Sequence, residues 1–186
     1  MLKERKTLYA GRIVTLHIDR VELPNGAECE LEVVKHPGGA AIVALDEKRR
    51  ICILRQYRHA ANGWIWELPA GKLEPQELPQ TTAQRELLEE AGVVASRWES
   101  LGTMLSSPSV FSEIIHLFLA RDLNHVPLQH EVHEAIEVHW LPFDEVFNRA
   151  VTGEIRDAKT LAGLLRARGW LERAVQSPPL AMPDPG

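Results

Sequence analysis

The stretch GKLEPQELPQTTAQRELLEEAGV, residues 71–93, is the most informative segment of this chain. Its second half predicts an amphipathic helix over residues 79–91, because small and aliphatic side chains recur at helical spacing on one face. These side chains are Ala83, Leu87 and Ala91. Pro79 suits the first turn of the helix, and Gly92 suits its C-terminal stop. The stretch therefore predicts a loop that leads directly into a helix anchored in an apolar core.

Acidic side chains crowd another face of the predicted helix. Glu86 and Glu90 are four residues apart and share that face, with Glu89 beside them. Carboxylates so placed repel one another unless a cation lies among them, and clusters of oxygen ligands suit Mg²⁺ or Mn²⁺. Arg85 can pair with Glu89, which follows it by about one helical turn. Taken alone, residues 85–90 are more often a charged, solvated helix face than a metal site.

Composition and charge describe a folded protein of ordinary size. Of the 186 residues, 45% are hydrophobic and 25% are charged, and the formal net charge is −5. That charge, with no block rich in Lys or Arg, gives no reason to expect nucleic-acid or membrane partners. Cys29 and Cys52 have neither disulfide nor metal-ligand spacing, and we find no signal peptide and no membrane-spanning apolar run. A cytoplasmic location is expected.

The rest of the chain is rich in strand-like segments. Residues 12–23 and 28–36 flank a Pro-Asn-Gly turn and predict an N-terminal antiparallel hairpin. Further strands are predicted at 40–45, 51–58, 63–68, 98–105, 113–120 and 135–141, and further helices at 143–150 and 157–173. Strands mixed with few helices predict an α/β sandwich on a mixed sheet. The predicted parts are an N-terminal β segment over 1–37, a main domain over 38–175 and a Pro-rich, disordered tail over 176–186.

Nine residues of the opening stretch stand at the spacing G-x5-E-x7-R-E-U-x-E-E-x-G-U, where U is aliphatic. They are Gly71, Glu77, Arg85, Glu86, Leu87, Glu89, Glu90, Gly92 and Val93. This pattern resembles the Nudix box, and every fixed position is filled. The resemblance implies a Nudix-type α/β/α sandwich. It also implies hydrolysis, by water and usually with Mg²⁺, of a nucleoside diphosphate linked to another moiety.

The same resemblance implies roles for individual residues. The implied metal ligands are Glu86, Glu90 and the Ala70 carbonyl. Glu89 is implied as a further ligand or as a support for the catalytic site. Arg85 is implied as the structural partner of Glu77 and Glu89.

Segments outside the box resemble the ADP-ribose pyrophosphatase branch of this family. They are WELPAG at 66–71, RQYR at 55–58, the proline at 108 and GEIRDAKTLAGLL at 153–165. The substrate-binding residues expected on this basis are Arg55, Arg58, Glu67, Trp66 and Pro108. Other interpretations stay open from the residues themselves. Arg55 and Arg58 can each be an ordinary surface charge. Glu67 can orient the loop, and Trp66 can belong to the core.

Three glutamates outside the box are candidates for the general base. Residues 130–134, HEVHE, are not the zinc motif H-E-x-x-H, because the second histidine comes one residue early. In the branch that this chain resembles, a glutamate on the corresponding loop is the general base, and Glu134 matches it best. The other candidates are Glu131 on the same loop and Glu113 at the start of a predicted strand.

We therefore expect Mg²⁺-dependent hydrolysis of the diphosphate of ADP-ribose to AMP and ribose 5-phosphate. One alternative is another nucleoside diphosphate derivative, such as NADH, diadenosine polyphosphate or GDP-mannose. Another is a non-catalytic domain that binds ADP-ribose. An isolated hairpin is marginally stable, and similar enzymes cross their N-terminal segment in a homodimer, so a homodimer is expected.

Overall fold

The fold was obtained as a computed structural model, which describes residues 1–127 and 135–176. The strands of these ranges are β1 (Leu2–Ala10), β2 (Thr15–Glu22), β3 (Glu28–Lys35), β4 (Gly39–Ala44), β5 (Arg50–Arg58), β6 (Gly63–Glu67), β7 (Ala70–Lys72), β8 (Val93–Leu105), β9 (Ile114–His125) and β10 (Ile136–Pro142). The helices are α1 (Pro79–Ala91), α2 (Phe143–Val151) and α3 (Ala158–Gln176), with a short 3-10 helix at His59–Ala61. None of the described helices is long and apolar enough to span a membrane.

The described strands form three sheets. The N-terminal sheet is antiparallel and has the strand order β1-β2-β3. The second sheet is also antiparallel and has the strand order β10-β5-β6. The third sheet has the order β7-β4-β9-β8, in which β4 and β9 are parallel and the other neighbours are antiparallel. The predicted mixed sheet is therefore confirmed.

The N-terminal segment has one strand more than the predicted hairpin. β2 and β3 form that hairpin, and β1 pairs along β2 as a third strand. Every residue of β1 is exposed. Because neither face of the strand is buried, its sequence needs no alternation of apolar and polar residues, and none is present from which a strand could be predicted. Cross-strand ion pairs join it to β2: Arg5 lies 2.6 Å from Asp19, and Lys3 pairs with Glu22.

Strand β4 and the first half of β5, residues 51–54, are buried on both faces, with helices on either side. On one face, Ile42 belongs to a core cluster with Leu87 of α1. On the other face, Val43 belongs to a cluster with Phe143 of α2 and Leu164 of α3. Because side chains alternate along a strand, this two-sided burial confirms the predicted α/β/α sandwich.

Most element bounds lie close to the predicted ones, and four elements differ by three residues or more. β2 begins at Thr15 rather than at 12, and β9 ends at His125 rather than at 120. The short strand β7 was not predicted. β8 begins at Val93 rather than at 98, since it follows directly on the glycine that ends α1. α3 continues to Gln176 instead of ending at 173. The predicted tail lies outside the described residues from 177 onward. The division of the chain at 37 and 175 stays a prediction.

Candidate active site

Helix α1 begins and ends as its sequence predicts. Pro79 stands in the first turn, and Gly92 follows the helix in the left-handed region, at a φ of 62°. The Gly92 N–H donates a hydrogen bond to the Leu88 carbonyl at 3.0 Å, which closes the last turn. The apolar face that was predicted to anchor the helix, Ala83, Leu87 and Ala91, is buried. That burial fixes the rotation of the helix and therefore the direction of its glutamates.

Arg85 ties the preceding loop to the helix through a fork of hydrogen bonds. Its Nε and Nη2 donate to the two carboxylate oxygens of Glu77 at 3.1 and 3.0 Å. Its Nη1 donates to Glu86 Oε1 at 2.6 Å and to Glu89 Oε2 at 3.0 Å. The hydrogen bonds from Arg85, with a further one from Thr82 at 2.8 Å, lower the pKa of Glu77 from 4.5 to about 2. Arg85 thus contacts the partners that the resemblance implied.

Two carboxylates of α1 lie against the backbone of the same loop. Glu90 is 3% exposed, and its Oε2 accepts a hydrogen bond from the Ala70 N–H at 2.8 Å. A Cβ added at Gly71 would lie 1.8 Å from Glu86 Oε1. The glycine therefore leaves the space that the Glu86 carboxylate occupies.

The oxygen donors at this place fit a hard divalent cation. They are Glu86, Glu89, Glu90 and the Ala70 carbonyl, and carboxylate and carbonyl oxygens are the ligands that such cations take. No three His, Cys, Asp or Glu side chains in the described ranges stand close enough to hold an ion in their present positions. The Arg85 guanidinium lies between Glu86 and Glu89, so a bound cation competes with it for their oxygens.

The acidic face of α1 lines a cavity of about 670 Å³. Of the site residues expected from the sequence, Arg58, Ala70, Glu86, Glu89, Glu90 and Glu113 line it. Its walls also include Arg12, Gln56, Ser106 and Lys159, which are not among the site residues expected from the sequence, although Gln56 and Lys159 lie in the segments 55–58 and 153–165. The volume suits a small-molecule ligand, since such pockets measure roughly 300–1,000 Å³.

Glu67 does not line the cavity, but it pairs with two cationic side chains that do. It is 3% exposed, and Arg58 Nε and Nη2 donate to its Oε2 at 3.0 and 2.7 Å. Lys159 Nζ lies 3.1 Å from Glu67 Oε1 and 3.0 Å from Asp157 Oδ1. These contacts favour a positioning role for Glu67, although it holds Arg58 and Lys159 rather than the loop. Lys159 and Asp157 lie in the segment 153–165, which resembles the ADP-ribose pyrophosphatase branch. That resemblance assigned no role to either residue.

Arg55, Trp66 and Pro108 do not line the cavity. The Arg55 guanidinium lies 5.5 Å from the centre of the Trp64 ring, and the Trp66 ring packs against His139 at 5.0 Å. Arg55 pairs directly with Trp66 across β5 and β6, so both point to the sheet face opposite Gln56 and Glu67. Pro108 stands between β8 and β9. A role of these three residues in substrate binding stays a prediction.

Of the candidates for the general base, Glu113 lies inside the described ranges. It lines the cavity, and its Oε1 is 3.1 Å from His36 Nδ1. The Gly38 N–H donates to the same His36 nitrogen at 3.1 Å. Glu131 and Glu134 lie outside the described residues, within the gap 128–134.

Comparisons with known proteins cover most of the chain. The family model described as NUDIX domain matches residues 35–164. The chain is 35% identical over 158 residues to an ADP-ribose pyrophosphatase of Bacillus subtilis (strain 168), which covers 84% of this chain and 85% of that protein. It is 37% identical over 178 residues to an ADP-ribose pyrophosphatase of Mycobacterium tuberculosis (strain ATCC 25618 / H37Rv), with 94% and 86% covered. A solved structure described as an ADP compounds hydrolase shares the fold, at 21% identity and a TM-score of 0.81, with 95% and 96% covered.

Proposed function

The chain belongs to the Nudix family, and we propose that it hydrolyses the diphosphate of ADP-ribose to AMP and ribose 5-phosphate with Mg²⁺. The observation that carries the proposal is the likeness, over most of both chains, to two proteins named ADP-ribose pyrophosphatase. The filled carboxylate motif, placed at a cavity of about 670 Å³, supports an active enzyme rather than a binding domain.

Glu86, Glu90 and the Ala70 carbonyl are the residues that would hold Mg²⁺, with Glu89 as a further ligand or support. Bound Mg²⁺ supplies positive charge against the diphosphate and acidifies water. In this structure these three carboxylates are held by protein groups, so Glu86 and Glu89 would have to give up contacts with Arg85 when Mg²⁺ binds. The Ala70 N–H fixes the Glu90 carboxylate, and Arg85 holds Glu86 and Glu89 in place.

Cationic side chains at the cavity wall would position the anionic substrate. Arg58 and Lys159 both line the cavity, and both are oriented by Glu67. A guanidinium fixed in this way can donate to phosphate or ribose oxygens through the N–H groups that Glu67 leaves. Because these side chains are already oriented, they need little reorganisation when substrate binds. Charges oriented in advance in this way stabilise the transition state.

Glu134 is the proposed general base, with Glu113 as the alternative that lines the cavity. The base takes a proton from water as the water oxygen bonds to one phosphorus. The bond from that phosphorus to the bridging oxygen breaks, and the bridging oxygen leaves with the other phosphate. One water is consumed, and AMP and ribose 5-phosphate are formed.

A substrate panel tests the proposal. ADP-ribose, NADH, diadenosine polyphosphate, GDP-mannose and a nucleoside triphosphate are compared by kcat/KM with Mg²⁺, with Mn²⁺ and with a chelator. ADP-ribose should have the highest value, and the chelator should abolish turnover. A preference for the triphosphate contradicts the substrate while leaving the family in place. Tight binding of ADP-ribose without turnover contradicts an enzyme.

The proposal includes a homodimer in the cytoplasm. Exposed apolar side chains on the N-terminal sheet, among them Leu8 at 50% and Tyr9 at 60%, support an interface. Cys29 and Cys52 are unpaired, which suits a reducing compartment.

A further inference from the structure

Gln56 is a buried polar residue that the proposed mechanism does not use. It lies on β5, is 6% exposed and lines the cavity. Its Oε1 accepts no hydrogen bond from the described residues. Native proteins satisfy most buried polar atoms, so such an atom at a cavity wall requires an explanation.

The surroundings of Gln56 explain why no donor of the described residues reaches its Oε1. Its partners across the sheet are Ile65 on β6 and Ile136 on β10, whose side chains carry no polar atom. The nearby cations Arg58 and Lys159 already pair with Glu67. An apolar side chain of similar size would serve the fold better here, because an unpaired buried acceptor is destabilising. The amide is therefore better explained by a ligand than by stability.

The position of Gln56 along β5 places it beside the carboxylates. Cys52, Gln56 and Arg58 point to the same face of the strand, because their numbers differ by even steps. Burial, together with the negative charge of Glu90, raises the pKa of the Cys52 thiol. The charge of Glu90 acts on Arg58 as well. Gln56 lies between these two residues on the strand and lines the same cavity as Ala70, Glu86 and Glu90, which places it at the proposed metal and diphosphate site.

We propose that Gln56 Oε1 accepts a hydrogen bond from a ribose hydroxyl of the substrate, which makes Gln56 a specificity-determining residue. The inference rests on the proposed function. An amide oxygen needs a donor, and the phosphate oxygens of a diphosphate are acceptors. The donors closest to the diphosphate of ADP-ribose are the hydroxyls of its two riboses. The adenine amino group lies a whole ribose further away.

Gln56→Met tests this assignment, because methionine has a similar length and no strong acceptor. With ADP-ribose, kcat/KM should fall about tenfold to a hundredfold, the range for one lost hydrogen bond in a buried site. The thermal midpoint without ligand should hold or rise, since the unpaired acceptor is gone. Gln80→Met, at an exposed glutamine of α1, is the control and should change neither quantity. A lower midpoint for Gln56→Met would show a structural amide and overturn the proposal.

Substrate analogues identify the hydroxyl. ADP-ribose lacking one ribose hydroxyl at a time is assayed with the wild type and with Gln56→Met. One analogue should lose about tenfold or more with the wild type and much less with the variant, because the contact is already missing. Equal losses in both proteins for every analogue would overturn the proposal. If the wild type prefers another nucleoside diphosphate sugar, only the proposed function fails, and the same series on that substrate decides the role of Gln56.

Discussion

The Glu90 carboxylate is buried by the fold, and its negative charge suits a metal ion. It is 3% exposed and close to Glu86 and Glu89 on α1, and Ala70 N–H donates to it at 2.8 Å. Glu90→Gln preserves the size and an acceptor for that N–H but removes the charge. Turnover should fall on the order of a hundredfold or more, the scale of losing several kcal/mol of transition-state stabilisation.

Stability separates this interpretation from a structural one. Without metal, the thermal midpoint of Glu90→Gln should hold or rise, because repulsion with Glu86 and Glu89 is relieved. Glu172→Gln, at an exposed position of α3, is the control for loss of one negative charge. A Glu90→Gln protein that fails to fold contradicts the metal assignment and indicates that the cluster is structural.

The identity of the general base is also decided at single residues. Glu134→Gln should lower kcat by about 10²–10⁴ while KM and the Mg²⁺ requirement stay nearly unchanged. Glu131→Gln should lower kcat less than Glu134→Gln does if the Glu131 side chain only interacts with solvent. Glu113→Gln is the third variant, since Glu113 lines the cavity beside His36. Loss of turnover in Glu113→Gln but not in Glu134→Gln would place the base at Glu113.

At the level of elements, the contact between β7 and α1 sets the position of Glu86. A Cβ at Gly71 would lie 1.8 Å from Glu86 Oε1, so Gly71→Ala must displace the carboxylate. We expect kcat to fall about tenfold or more with the fold retained, because the clash is with a side chain that can move. Gly63→Ala is the matched control, since an added Cβ there meets nothing within 4 Å. Equal kinetics for the two variants would show that Glu86 need not lie against the loop.

The same loop and helix are joined by Arg85 and Glu77, which predicts a response to acid. The pKa of Glu77 is lowered from 4.5 to about 2, first by the Arg85 hydrogen bond. A carboxylate whose pKa is lowered on folding stabilises the fold above its unfolded pKa, and that contribution is lost as pH falls toward the folded value. Glu77→Gln should therefore be less stable than the wild type at pH 6–7.

Urea unfolding between pH 7 and pH 3 measures this response. The difference in unfolding free energy between the wild type and Glu77→Gln should shrink below about pH 4.5. Glu30→Gln, at an exposed position of β3, should follow the wild type closely. A difference that stays constant down to pH 3 would mean that Glu77 is not held by an ionised pair.

At the scale of the whole molecule, we predict a dimer that forms through the N-terminal sheet. The exposed large apolar side chains of this sheet include Leu2, Leu8, Tyr9 and Leu31, and Ile13 is exposed on the loop after β1. Arg12, on the loop after β1, reaches the cavity wall, so this sheet and the active site are connected. Sedimentation should give a dimer, and Tyr9→Arg should shift it toward monomer. Val151→Arg, at an apolar residue that is 70% exposed on α2, should not. A fully active monomer at assay concentrations would contradict the prediction.

Features that depend on short spacing along the chain could be predicted from the residues alone. Glu86, Glu89 and Glu90 share a helix whose start and stop are encoded in its own residues, so the acidic face follows from helical periodicity. The strands β4 and β5 were predictable for a similar reason, because their apolar runs are bounded by turn residues.

Contacts between distant side chains depend instead on tertiary packing. Glu67 binds Lys159, and the Leu68 N–H donates to Thr160, which is 92 residues away. No local pattern encodes such a contact, because it depends on where α3 packs against the sheet. The burial of Gln56 has the same origin, since alternation along a strand gives its face but not what covers it. β1 was missed because exposed, charged strands carry no apolar period, and its pairing depends on the edge that β2 offers.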